Sequence, residues 1–561
     1  MCVRCLIEFR WHNHLLMDTN EEEYKINSVQ TTERNESILL NFRPVLFCAV
    51  FLCLGILFGK AYQEGASWLW LIILPFAVCF LVALGRWKSW RRFALKAVLL
   101  IFCFAVGLGG YSLQMSNYAK GGRYNGEFYV CGYVETCTLQ NEYCRVTLVD
   151  IEIDGNQEKG KMVAYLPYTF YDEIDACDEL AMTAQVSRNG EETTNSPFDA
   201  YSVNENMRYK ATAENCLVIG RRIRFFDSVR SRMQEVIQEG MDETCAVVTI
   251  GVLTGDDAAI EDGLLKNFRY GGIAHIFAVS GLHVGALYSI CLRIIKKTKL
   301  KNMPKIMRFV FLATLLLFYG GICGYSASVV RAIVMCLVLY ASSLIGIISD
   351  LSERIAAAAI VVLSLSPIAL FTVGFQLSFA ACFGICWLSK PISSLLIKKR
   401  ERRIDEDLPP LGLLESAKNS ILSFLAVTVS AQIATAPIQL MSFGYISGWA
   451  LLLNCIFVPL ISLAFSFLLA LVFIACIFPL SFATELLYLP NVIWTVLLLA
   501  FEIFDFSTFA VTGIALRGGG VCIYYLMCFF CTDKWNLPKK WRMACVVVCL
   551  AAFLIATIPF L

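Results

Sequence analysis

Long apolar runs separated by short polar loops dominate this chain. They lie near 43–61, 67–85, 94–113, 273–293, 306–325, 326–348, 355–388, 420–441, 447–477, 480–507, 517–532 and 543–561. A helix needs roughly 20 such residues to cross the hydrocarbon core of a bilayer. The run 355–388 is long enough for two spans broken at Pro367. The pattern predicts a polytopic α-helical membrane protein of about 11–13 spans.

Between 114 and 220 the period changes to two. EFYVCGYVETC (127–137), CRVTLVDIEI (144–153), KMVAYLPYT (161–169), ELAMTAQV (179–186) and YKATAENCLVI (209–219) alternate β-branched or aromatic residues with polar ones. Five short strands suit a small OB-like barrel; a fragment of a two-layer sandwich is the alternative. The predicted organisation is a polar tail 1–40, three helices in 41–113, a β domain 114–220, an amphipathic interfacial helix 221–245 and a second membrane domain 246–561.

Composition agrees. Apolar residues make up 58%, charged residues 16%, and the mean hydropathy is +0.64. A soluble domain carries about 25% charged residues. The polar start and the lack of a small-residue cleavage site after Phe58 predict no cleavable signal peptide.

Lysine and arginine set the orientation. RWKSWRR (86–92), KKTKLKNMPK (296–305), KKRERR (398–403) and DKWNLPKK (533–540) are strongly basic, which places these loops in the cytoplasm. The N-terminus is then cytoplasmic, and the β domain and Leu561 are outside. Outside the membrane, Cys131, Cys137, Cys144, Cys177 and Cys216 are candidates for a disulfide, with an odd one left over. Cys2, Cys5, His12 and His14 lack the spacing of a zinc finger, so no metal site is expected.

Ionisable groups among apolar spans are costly and mark functional sites by default. GVLTGDD and FRYGGIAHIFAVSGLHVGAL (251–287) place Asp256, His275, Ser280 and His283 together, and two of the four histidines of the chain are here. On one helix Ser280 and His283 share a face, with His275 near it. Such a face would line a wet path, or it would be a helix-packing hydrogen-bond cluster. Asp256 would serve translocation or cap the following helix. Arg331, Gln376 and Gln432 would meet an anion on that path or make interhelical bonds, and Asn454 and Pro459 predict a broken helix. Arg221, Arg222, Arg224, Arg230 and Arg232 would lie on the interfacial helix, against headgroups or against DNA. The β domain has 8 Lys and Arg against 17 Asp and Glu, a net charge of −9, which opposes phosphate binding by the domain as a whole. Stacking on Tyr168, Phe170 or Tyr171 is the route left open.

The block LTGDD…FRYGGIAHIFAVSGLHVG (253–285) resembles the core motif of the ComEC-type competence proteins. SASVVRAIVM (326–335), PIALFTVGFQLSFAACFGI (367–385), AQIATAPIQLMSFGYISGWALLLNCIFVPL (431–460) and, more weakly, NSPFDAYSVNENMRYKA (195–211) are similar to further family blocks in the same order. The resemblance implies a plasma-membrane channel in 246–561 for single-stranded DNA in natural transformation. It also implies a cytoplasmic helicase-like motor and an extracellular DNA receptor. Long members carry a metallo-β-lactamase-like domain that needs an HxHxDH cluster. Histidines only at 12, 14, 275 and 283 predict a form without it, its nuclease supplied by a separate chain or dispensable.

No Walker motif and no cofactor motif are present, so neither ATP hydrolysis nor a bound cofactor is expected. A transport protein is expected rather than an enzyme, because Ser280 and His283 on one helix are poorly placed for nucleophilic attack. The other readings are a secondary transporter of a small anionic metabolite and a family member no longer active in DNA uptake.

Overall fold

A computed structural model describes residues 43–65, 90–121, 123–140, 143–171, 173–189, 199–222, 224–256, 260–277, 279, 281–345, 350–397, 413–479, 482–502, 506, 510–512, 518–530 and 544–550. The tail 1–40, the expected span 67–85, most of the expected span 543–561 and Ser280 fall outside these residues. The described residues form two compact units: Pro44–Arg232 with Ala356–Phe375, and the remainder.

The first unit starts with α1 (Pro44–Gln63) and α2 (Trp90–Ala119). They cross at glycine. A Cβ on Gly55 would collide with the Phe104 carbonyl oxygen, and one on Gly107 with that of Leu52. Removing side chains at both points lets the backbones touch, which recovers dispersion energy between helices that lipid cannot outcompete.

The β domain follows: β1 (Gly126–Gln140), β2 (Tyr143–Ile153), β3 (Asn156–Gln157), β4 (Lys161–Pro167), β5 (Asp178–Arg188), the short helix α3 (Ala200–Asn204), β6 (Met207–Thr212) and β7 (Leu217–Arg221). The run 209–219, expected as one strand, contributes to two, because Ala213–Cys216 turn away from the sheet. The ladder runs β1-β2-β4-β6-β5 and closes when β5 pairs with β1; only the β4–β6 pair is parallel. Closure depends on β1. Its first half pairs with β5 and its second with β2, and irregularities at Cys131/Tyr133 and Val134/Thr136 bend it between the two. Alternate residues, among them Val146, Leu148, Met162, Leu166, Leu180 and Tyr209, fill the interior. The result is a closed five-stranded barrel with β3 and β7 as appendages.

Hydrogen bonds fix this barrel to the helices of its own unit. Tyr118 Oη donates to Met207 O (2.7 Å), and Arg188 Nη2 to Ala119 O (3.3 Å). Gln114 Nε2 donates to Ser366 Oγ, which donates to Asn204 Oδ1 (2.7 Å), while Ile368 N–H donates to Gln114 Oε1. Ser366 leads into the 3-10 turn Pro367–Phe371, so the break expected at Pro367 is present.

The second unit is helical. It holds the second half of α4 (Phe225–Gly240), then α5 (Glu243–Thr254), α6 (Asp262–Tyr270), α7 (Gly281–Lys297), α8 (Lys305–Ile322) and α9 (Ala327–Ile345). Two helices, α10 (Leu351–Leu365) and α11 (Val373–Leu396), have residues assigned to each unit. The rest are α12 (Leu413–Phe443), α13 (Ala450–Ile477), α14 (Ala483–Glu502) and α15 (Gly518–Phe530), with β8 (Tyr445–Ser447) paired to β9 (Ala510–Thr512). Among the described residues seven helices are long and apolar enough to cross a membrane: Pro44–Gln63, Lys96–Ala119, Lys305–Ile322, Ala327–Ile345, Val373–Leu396, Ala417–Phe443 and Ala450–Ile477. Glu243–Thr254 and Ala483–Leu499 are shorter apolar helices.

Two expectations change here. The helix α13 passes Asn454 and Pro459 without interruption, since a proline removes one internal hydrogen bond and neighbouring packing can carry the turn. The interfacial helix expected over 221–245 is shorter, because Arg221 ends β7 and α4 starts at Phe225.

Candidate functional site

The helical unit is broken between α5 and α7. At the end of α5, Gly255 adopts φ +83° and its N–H returns to Gly251 O. The Leu253 carbonyl, left over by that ending, accepts from buried Tyr319 Oη (2.9 Å) and from Cys323 Sγ. The amphipathic helix α6 closes with a Schellman arrangement: Gly272 N–H donates to Arg269 O, and Ile273 N–H to Phe268 O. Gly272 takes φ +74° and abuts Ala450 at the start of α13, where a Cβ would collide with the alanine methyl. Buried Asn454 Nδ2 reaches the Gly272 carbonyl at 3.5 Å. A 3-10 turn, Ala274–Ile276, follows, and α7 begins only at Gly281.

This geometry corrects the expectation of one helix over 273–293. His275 lies on the 3-10 turn and is exposed, whereas His283 on α7 is fully buried, its ring 4.5 Å from that of Phe465. The two histidines therefore share no helix face, because i→i+3 bonds at 273–277 rotate the chain before α7 starts. Ser280 lies outside the described residues. Asp256 is exposed; its N–H donates to Thr254 Oγ1, and Gln234 Nε2 donates to its carboxylate (3.4 Å). It does not cap α6, whose N-cap position is Glu261. Arg331 is buried on α9, which packs on α7, and Gln376 and Gln432 are half-buried on α11 and α12. Sequence reasoning missed Tyr319, Phe465 and Gly272. The pair Gly271–Gly272 was a legible stop signal, but the aromatics look like ordinary core residues.

Beside the break, Phe268, Phe277, Phe457, Ile461, Trp494 and Leu498 line an apolar cavity of about 10 Å³. That volume holds one water at most.

The arginine cluster is not one helix face. Arg221 Nε lies 3.6 Å from Asp178 and its Nη2 3.5 Å from Asp175. Arg222 and Arg224 converge on Asp150 at 3.4 and 2.9 Å, with Arg222 also 5.5 Å over the Tyr133 ring. Only Arg230 and Arg232 belong to α4. Three of the five proposed phosphate contacts are thus already matched to carboxylates of the barrel.

The five barrel cysteines are all free thiols. Cys137 Sγ and Cys144 Sγ meet at 2.9 Å across the β1–β2 hairpin. Donation to Cys144 holds the proton on Cys137 and raises its pKa, while the same bond lowers that of Cys144. Burial, with the Asp227 carboxylate alongside, pushes the Cys177 thiol up to about 11.

A family profile described as Competence protein matches residues 252–538, so the match begins in α5 and takes in the break, the buried histidine and five of the seven membrane-length helices. ComE operon protein 3 of Bacillus subtilis (strain 168) is 29% identical over 206 residues, which cover 36% of this chain and 23% of that relative. The match spans under a quarter of the length of that curated relative. No solved structure matches. With just over half of its 561 residues inside the profile, the chain belongs to the Competence protein family.

Proposed function

We propose that this protein is a plasma-membrane channel that admits single-stranded DNA during natural transformation. The observation that carries this reading is the broken segment 255–281 within the family-matched helices. Irregular backbone at membrane depth is tolerated where it is buried in protein or lines a wet path. A charged strand needs such a path, lined by donors that hold it weakly enough to let it move. Asp256, His275, Ser280, His283, Arg331, Gln376 and Gln432 are the candidates to line it. The cavity beside the break is no larger than a water, so a nucleotide would pass at that point only if the surrounding helices part. The basic loops support a cytoplasmic N-terminus, with the barrel and the C-terminus outside.

The strand order of the barrel supports an OB-like fold: counting long strands only, 1-2-3-5-4 closing on 1, with the third and fifth parallel. The 2.9 Å approach of the Cys137 and Cys144 thiols supports this pair as the one that would form a disulfide if the barrel lies outside. Force for pulling the strand comes from a cytoplasmic helicase-like partner, with an extracellular receptor delivering DNA and any nuclease on a separate chain.

The test is entry of labelled DNA into a competent host that lacks its own channel. The wild-type chain is expected to restore entry. His283→Ala and His283→Phe, at equal membrane levels, are expected to lower it at least about tenfold, a barrier of about 1.4 kcal/mol. Full activity of His283→Phe would assign His283 to packing against Phe465, and a well-inserted wild-type chain that restores nothing would overturn the channel reading.

A further inference from the structure

Cationic side chains gather where the connection from α9 to α10 meets the start of α8. Arg43 is only 8% exposed; its Nη2 lies 2.6 Å from Asp350 Oδ2, and its buried Nη1 has no hydrogen-bond partner among the described residues. Buried Ser352 steadies the carboxylate: its Oγ donates to Asp350 (3.4 Å) and accepts from Trp387 Nε1 (3.1 Å). Arg354 lies within Coulombic reach of Asp350 and of Tyr288. At the start of α8, Lys305 Nζ donates to Leu344 O (3.0 Å). One turn on, Arg308 lies within Coulombic reach of Tyr340, and its buried Nε has no hydrogen-bond partner among the described residues. Glu353 Oε1 is unbonded as well, so that oxygen takes up neither N–H. Buried N–H groups on charged side chains are costly to leave unmatched.

We propose that these groups hold the headgroup phosphate of an anionic phospholipid, with Arg43 and Arg308 donating to it. The site belongs to the helical unit, on the side marked by the basic loop 296–305, and it stands whatever the chain transports. Two features identify the ligand class. Buried guanidinium N–H groups need a small anionic acceptor, and phosphate oxygens match their geometry. Beside Arg308, Ile306, Met307 and Val310 are 73%, 50% and 56% exposed, so acyl chains have an apolar helix face to lie on. Free phosphate would leave that face bare. A choline headgroup would bring an ammonium that the arginines repel. Basic pockets between helices at the cytoplasmic boundary suit anionic headgroups, and Tyr288, Tyr340 and Trp387 are the residue types of an interfacial aromatic belt.

The measurement is thermal unfolding of the purified full-length chain in a non-ionic detergent, titrated with dioleoyl phosphatidylglycerol, dioleoyl phosphatidylcholine or inorganic phosphate. A ligand that binds the folded chain raises its unfolding temperature by mass action. Phosphatidylglycerol should raise it saturably, and the other two should do far less at the same concentration. Arg308→Gln removes no ion pair seen among the described residues, so without lipid it should unfold near the wild-type temperature. Its half-saturation should need about tenfold more phosphatidylglycerol, the loss expected of one hydrogen bond to a charged group. Arg308→Lys, which keeps the charge without the fork, should fall between the two. Lys299→Gln, exposed on the same basic loop, should leave half-saturation unchanged. Equal stabilisation by phosphatidylcholine would overturn the proposal. So would an equal effect of inorganic phosphate, which would make this a site for a free anion. Wild-type half-saturation in Arg308→Gln would also overturn it, as would an equal loss in Lys299→Gln, which would assign the effect to the charge of the whole loop.

Discussion

Gly272 lies against Ala450, and nothing larger than hydrogen fits on the glycine side of that contact. The same residue holds φ +74° and ends α6, so one position carries both a backbone and a packing requirement.

Gly272→Ala should therefore cost the left-handed strain of about 1–2 kcal/mol plus an overpacking term of about 1–3 kcal/mol. Gly444, at φ +75° with open space where a Cβ would stand, should show the first term alone when changed to alanine. Thermal unfolding of the two purified variants checks this. Equal destabilisation would mean that the contact with Ala450 contributes nothing.

The α1–α2 crossing should behave as a close-packed seam. Gly55→Leu or Gly107→Leu is expected to push the helices apart and reduce accumulation in the membrane. Gly109→Leu, on the same helix as Gly107 but with nothing within 4 Å of its Cβ position, should be tolerated. Immunoblots of membrane fractions at matched transcript levels read the difference.

Asp150→Asn should leave stability within about 1 kcal/mol, because exposed ion pairs are worth little. Asparagine also accepts the φ of +50° found at Asp150. The change releases Arg222 and Arg224, so retention on heparin should rise. If retention is unchanged, these arginines do not depend on Asp150 for their neutralisation.

The Cys177 thiol should alkylate slowly at neutral pH and titrate near 11. A folded-state pKa above the ordinary 9 means the protonated thiol favours folding. That contribution is complete below pH 9 and disappears as the pH climbs towards 11. Asp227→Asn should lower the midpoint, with burial keeping it above the ordinary value. Iodoacetamide labelling across pH, read by mass spectrometry at Cys177, checks both; a midpoint at or below 9 would contradict the burial seen here.

Hydrophobic runs and the period-two pattern of 114–220 were sufficient to identify a helical membrane protein with one small β domain. Helix α2, the break at Pro367 and four of the five expected strand runs all lie where local patterning puts them. The break at Gly255 was legible in the same way, whereas the stop at Gly271–Gly272 was missed and 273–293 was read as one helix. These features are set by neighbours a few residues apart, through solvation and short-range hydrogen bonding. Tertiary structure alone decided the rest. Closure of the barrel needs β1 to meet β5 some 50 residues on, and Arg222 and Arg224 were spent on Asp150, 72 and 74 residues back. The same is true of Gly272 on Ala450 and of His283 on Phe465. Which surfaces meet at such separations depends on how whole elements pack, and hydropathy along the chain carries no record of that.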